Sequence, residues 1–248
     1  MVSGQTGIAS DTAGVLVSER VFFACAPFIL RVLLTRYRLE QEMKEYPIWF
    51  WADPHLDHAN AIEFSNRPFS SVEEMTETLI RNVNDAVGRD DQLWILGDFT
   101  NRATVERVRE LRSRIACRHA HLIYGNHDRR CDGEGIFESV QYYKELKTKY
   151  GRVVLFHYPL REWSAAHYGS IHVHGHIHSI GGAYNDEHLK MKYIEYMPWG
   201  HTPAESELGL RIFDVGVDAN GYRPVSLDEI ARRMGISPIK DKSHSYES

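Results

Sequence analysis

Five short apolar runs punctuate the chain: "PIWFWA" ending at Ala52, "QLWILG" ending at Gly97, "HLIYG" ending at Gly125, "VVLF" ending at Phe156 and "SIHVHG" ending at Gly175. Their shortness and abrupt polar ends predict buried strands. Between them the period changes. In "SSVEEMTETLIRNVNDAVG", Val72, Met75, Leu79 and Val83 share one helical face, Ser71 and Glu74 form a capping box, and Gly88 supplies a stop. In "TVERVRELRSRI", Val105, Val108, Leu111 and Ile115 do the same. A last helix is expected to open at Ser226, with Glu229 as box partner, and to end near Gly235. Strands alternating with helices predict an α/β protein.

The pattern fades at the ends. Residues 1–46 read as an N-terminal extension. Its apolar run "VFFACAPFIL" is interrupted by Pro27 and bracketed by Arg20 and Arg31. That run is shorter than the roughly 20 residues that cross a bilayer, so no transmembrane segment is expected. An extra helix, an amphipathic or dimer-forming segment and a dispensable extension all fit it. The main domain is expected over 47–240. Within it, 179–211 reads as an irregular insertion or lid, with Gly181, Gly182, Pro198 and Pro203. Residues 241–248 form a polar tail.

Of the 248 residues, 43% are hydrophobic and 25% charged, which suits a soluble globular chain. The net charge of −5 argues against a protein that coats nucleic acid, so no stable nucleic-acid partner is expected. Cys25, Cys117 and Cys131 are odd in number and far apart, which predicts a reduced, cytoplasmic protein. Histidine is abundant, with 14 copies, several clustered, and that raises the expectation of metal.

Each apolar run is followed at once by metal-binding residue types. They are Asp53 and His55, then Asp98, then Asn126 and His127, then His157, then His176 and His178. Sites in α/β sheets form at the carboxyl ends of strands, so these ends point to one place. A mixed set of carboxylate, amide oxygen and imidazole suits Mn, Fe, Zn or Ni better than Ca or Cu(I). One ion takes about four to six ligands. Asp53, His55, Asp98, Asn126, His157, His176 and His178 therefore fit two ions sharing a carboxylate, an arrangement suited to in-line displacement at phosphorus. The i, i+2 spacing of Asp53/His55 and His176/His178 puts each pair on one face if the backbone is extended.

D-x-H, G-D, G-N-H-D, a lone His after a strand and G-H-x-H, in that order, resemble the calcineurin-like metallophosphoesterase superfamily. "DPHLDHANAIEFSNRPF" and "VGVDANGYRPVSLDEI" resemble its compact single-domain bacterial and phage branch. The resemblance implies a four-layer sandwich of two facing mixed sheets flanked by helices. It implies one ion on Asp53, His55 and His178, another on Asn126, His157 and His176, and Asp98 bridging. His127 would stand near the leaving oxygen as acid or charge-stabilising donor, with Asp128 orienting it. The implied activity is hydrolysis of a small phosphate ester, foremost a phosphodiester such as a nucleotide, by metal-activated hydroxide. Two divalent ions are implied, Mn first, with Fe, Zn or Ni as alternatives.

Other residues carry two readings each. His58 lines the pocket or is a surface polar residue. Arg67, Arg129 and Arg130 grip substrate phosphate or are simply solvated. Tyr158 and Trp163 stack on a base or pack in the core, the latter being simpler. His172 and His174 read as strand residues facing polar surroundings. Asp214 and Pro54 depart from the branch pattern without removing a ligand. "GDFTNRA" and "GNHDRR" disfavour a protein phosphatase. A nuclease remains as the alternative enzyme, and a non-catalytic scaffold as the alternative of a different class.

Overall fold

The computed structural model describes residues 46–128, 135–195 and 204–239. All of these residues belong to the compact unit that begins at Tyr46. The readings of the N-terminal run, of Arg129 and Arg130 and of the tail lie outside them. Among the described residues no helix is long and apolar enough to cross a membrane.

Two mixed sheets organise the domain. In the first, β1 (Ile48–Trp51), β2 (Gln92–Leu96), β3 (His119–Ile123) and β4 (Ser139–Gln141) run parallel. β11 (Val225–Ser226) joins antiparallel beside β1. In the second, β10 (Ile212–Asp214), β7 (Ile171–His174) and β6 (Gly151–Phe156) run parallel, and β5 (Tyr143–Thr148) is antiparallel to β6.

The strands alternate sides, and this alternation makes the layers. Trp51, Leu93, Ile95, Ala120 and Leu122 join a core with α2 (Val72–Ala86) and α3 (Val105–Ser113). The opposite faces, Phe50, Trp94, Leu96 and Ile123, meet Val153, Leu155, Ile171, Val173 and Phe213 of the second sheet. A smaller cluster of Val154, Trp163, Ala166 and Ile212 covers that sheet's outer side. Each fully buried large apolar side chain contributes roughly 1.5–3 kcal/mol.

The helix signals are read with small corrections. Ser71 Oγ accepts from Glu74 N at 3.1 Å, but the Glu74 carboxylate reaches past Ser71 to Ser70 N at 2.8 Å. The helix stops at Val87, which turns extended to bury its side chain, so Gly88 is not the stop. α5 (Leu227–Arg233) is capped by Ser226 as expected. Gly235, at φ 66°, closes it: Gly235 N donates to Arg232 O and Ile236 N to Ala231 O. Segment 179–211, expected to be irregular, contains α4 (Ala183–His188) and a hairpin of β8 (Lys192–Glu195) and β9 (Ala204–Gly209). His172 and His174 are strand residues, fully buried, and each ring meets polar groups there. A loop covers the first through Leu160 N, and Tyr184 of the insertion meets the second.

Candidate metal centre

The carboxyl ends of β1, β2, β3, β6 and β7 deliver the residues named from the sequence. The chain turns sharply there. Asp53, His55, Asp98, His176 and His178 all have positive φ, between 47° and 74°. Such backbone is costly for residues with a Cβ and concentrates at functional sites. The i, i+2 pairs therefore converge through left-handed turns, and the expectation of extended backbone is corrected. Glycine permits the close approaches. A Cβ on Gly125 would run into the carboxylate and backbone N of Asp98, and one on Gly175 into Asp53 Oδ2 and Ala52.

Two triads result. Asp53, His55 and His178 each offer one donor atom, all within 4.8 Å of one another, and so do Asp98, His157 and His176. Asn126 Oδ1 lies 3.0 Å from His157 Nε2 and 3.1 Å from His176 Nδ1, which places it in the second triad. Asp98 Oδ2 is 3.6 Å from His55 Nε2 and 3.6 Å from His157 Nε2, between the two. Two rings have their outer nitrogens fixed: His157 Nδ1 donates to Leu96 O and His178 Nδ1 to Asp218 Oδ2, both at 2.8 Å. Each ring then turns Nε2 inward as a lone-pair donor.

The electrostatics fit a cation. Asp53 is fully buried; its Oδ2 accepts from His176 N at 2.8 Å, while Oδ1 has no hydrogen-bond partner. Burial, then the nearby carboxylates of Asp214 and Asp98, push its pKa well up. Burial also raises Asp98. Burial, followed by repulsion from His178, lowers His55 to about 2. An ionised carboxylate this deep needs opposite charge at its bare oxygen. Divalent ions held by imidazole and carboxylate match both the donor set and that need.

A family model described as "Calcineurin-like phosphoesterase superfamily domain" matches residues 72–194. The chain carries a calcineurin-like phosphoesterase domain. An uncharacterised protein of Methanocaldococcus jannaschii is 29% identical over 188 residues, 75% of this chain and 89% of that one. The gene 66 protein of Mycobacterium phage L5 is 28% identical over 190 residues, covering 64% of this chain and 91% of its own. A solved protein of unknown function from Aquifex aeolicus shares the fold, with a TM-score of 0.54 at 21% identity, over 76% of this chain and 99% of its own. The chain is thus a metal-dependent phosphoester hydrolase in the general sense of its superfamily.

Around the phosphoesterase centre, some residues act differently from expectation. Arg67 is 4% exposed, and its guanidinium is turned to protein groups rather than to solvent. It donates to Asp218, to Asp53 O and Pro54 O, and to Met75 Sδ. Arginine is used here as a buried brace, since its fork satisfies a carboxylate and two carbonyls together. Asp128 is fully buried and accepts from three backbone amides, Asp98 N, Phe99 N and Gly125 N, at 2.7 to 2.9 Å. It fixes the turns that present Asp98 and Asn126. Asn101 is what orients His127: its Oδ1 accepts from His127 Nδ1 at 2.9 Å. The same amide donates to His58 Nε2 at 2.8 Å, which sets His58 beside His127. His127 Nε2 lies 4.0 Å from Asp98 Oδ2.

Asp218, Asn101 and Ser65 were not singled out by sequence. Asp218 holds His178 and Arg67, and Ser65 Oγ lies 3.1 Å from His178 Nδ1. The signal for Asp218 and Asn101 was present in "VDANG" and "GDFTNRA", but each reads locally as turn chemistry. Asp214 is buried behind Asp53, accepting from Ser179 Oγ and Gly216 N.

Proposed function

We propose that this domain hydrolyses a phosphodiester, of nucleotide type, at a dinuclear centre with manganese as the preferred ion. The observation that supports it most is Asp98 Oδ2, one carboxylate oxygen standing at equal distance, 3.6 Å, from an imidazole nitrogen of each triad. Asp53, His55 and His178 would hold one ion, Asn126, His157 and His176 the other, with Asp98 shared. When bound, such a pair activates water near neutral pH and neutralises charge on the phosphoryl oxygens. The chain's own groups do the rest. Asn101 keeps the Nδ1 proton of His127 engaged, so that Nε2 faces the centre. There it gives a proton to the departing alkoxide oxygen, a contribution of about 10²–10⁴-fold. Asp128 and Arg67 hold the ligand turns in place.

Elemental analysis after manganese loading should find two ions per chain. Bis(4-nitrophenyl) phosphate should be turned over, chelator should abolish the activity, and Asp98→Asn should bind less than two ions with activity lost. Full activity with one ion per chain would sink the dinuclear reading. His127→Ala should lower turnover most for diesters with alkyl leaving groups, and least for 4-nitrophenolate, which leaves without a proton.

A further inference from the structure

Two aromatic side chains stand in the open near this centre, Tyr158 beside the second triad and Phe64 beyond His58 on the side of the first. Phe64 ends α1 (Asn60–Phe64) and is 78% exposed. Its ring lies 6.3 Å from that of His58, which is 5.2 Å from His55 and 6.3 Å from His127. Tyr158 is 37% exposed, with its ring 4.5 Å from His176 and 4.9 Å from His157. Trp163, by contrast, is 8% exposed and packs with Val154, Ala166 and Ile212, so it is a core residue.

Isolated exposed aromatics are ordinary on a protein surface. These two differ in their placing. A diester has two ester arms, and these two rings stand on different sides of the centre, Phe64 beyond His58 and Tyr158 against His176. A monoester has one arm and would use one platform. We infer that Phe64 and Tyr158 are stacking platforms for the two nucleobases that flank the scissile phosphate, so that the substrate is an unpaired nucleic-acid strand. This rests on the phosphodiesterase reading and narrows its substrate class. Phe64 shares the His127 side and receives the base of the leaving nucleoside; Tyr158 receives the other. Stacking accepts any base, because each has a π-face, and demands that the base be unpaired and free to turn. Affinity for such a strand comes from the centre and the two rings.

The experiment compares two substrates in each manganese-loaded variant: a single-stranded thymidine oligonucleotide and methyl 2,2,2-trichloroethyl phosphate, a diester that carries no ring. The quantity read is the ratio of their kcat/KM values. Phe64→Ala and Tyr158→Ala should each lower that ratio by roughly 5- to 150-fold, the range of one lost base stack. Phe64→Trp and Tyr158→Phe should keep it, whereas Phe64→Leu, apolar but without a π-face, should not. Annealing the oligonucleotide to its complement should slow cleavage. A ratio unchanged in both alanine variants, or duplex cleaved as fast as single strand, overturns the inference while hydrolysis of the small diester continues. Loss of both hydrolyses in the wild-type protein would overturn the phosphodiesterase reading itself, and this inference with it.

Discussion

Arg67 donates Nε and Nη2 to the two carboxylate oxygens of Asp218, at 2.8 and 2.9 Å, in a fully buried fork. The same guanidinium holds the carbonyls of Asp53 and Pro54, and Asp218 holds His178. One pair therefore ties together both chain segments of the first triad. Burial pushes the Asp218 carboxyl up, but the hydrogen bonds from His178 and Arg67 outweigh it and leave the group below the usual range. Arg67→Met should destabilise the fold by about 3–5 kcal/mol, because it strands a buried charge. Arg67→Lys should be intermediate, keeping the charge without the fork. Denaturant unfolding with matched metal loading measures both, and a loss under 1 kcal/mol in Arg67→Met would contradict the brace.

Gly175→Ala tests the close approach between the two sheets' ends. The new Cβ would meet Asp53 Oδ2, the oxygen that receives His176 N. Either the Asp53 carboxylate or the His176 turn must move. Metal affinity should fall by about 10–100-fold, the scale seen when support around metal ligands is disturbed. Isothermal titration with manganese reads this directly, and an unchanged affinity would mean that the site yields without consequence.

Asn101→Leu should leave His127 unoriented and lower kcat for alkyl-leaving diesters by about 10–100-fold, within what a positioned acid contributes. Turnover of 4-nitrophenyl esters should change far less. Asn101→Asp should restore the hydrogen bond and add a negative charge, moving the alkaline limb of the rate profile to higher pH. Equal loss on both leaving-group classes would assign Asn101 a purely structural role.

Much of this was legible before any coordinates. Each of the five ligand-bearing strand ends is a local event: an apolar run, then a donor, with a glycine or alanine between them in all but the run that ends at Phe156. The two-sheet arrangement followed from the resemblance carried by those motifs, not from periodicity. What could not be read locally was partnership. Arg67 and Asp218 are 151 positions apart, and an arginine before a proline looks the same whether it faces phosphate or a buried carboxylate. Asp128 sits beside His127 in sequence, which suggested a pair, but a one-residue step in a tight turn sends the two side chains to different neighbours. β4, β10 and β11 are two or three residues long, too short for alternation to register. β5, "YKELKT", is polar and half exposed, so its pattern does not announce a strand.

His172 makes stability depend on pH away from the metal ligands. Burial, then repulsion from His174, lowers it to about 3, and its Nδ1 donates to Val154 O while Nε2 accepts from Leu160 N. In the unfolded chain an imidazole takes up its proton near about 6.5. Between those values the unfolded state binds the extra proton. The stabilisation is thus complete above about pH 6.5 and drains away as the pH falls towards the native value. Melting temperature should drop steeply over that window, and His172→Gln should flatten the slope. Parallel pH curves for the two proteins would remove His172 from the account.

Asn185 grips the main chain of Asp214 from both sides, donating to its carbonyl at 2.9 Å and accepting from its amide at 2.7 Å. Ser179 Oγ reaches the Asp214 carboxylate at 2.6 Å. The opening stretch of the insertion is therefore masonry for the wall behind Asp53, and further on β8 and β9 pair antiparallel with each other. A protein engineer who trims the insertion has to keep Ser179 and Asn185, because losing either loosens the backing on which Asp53 leans.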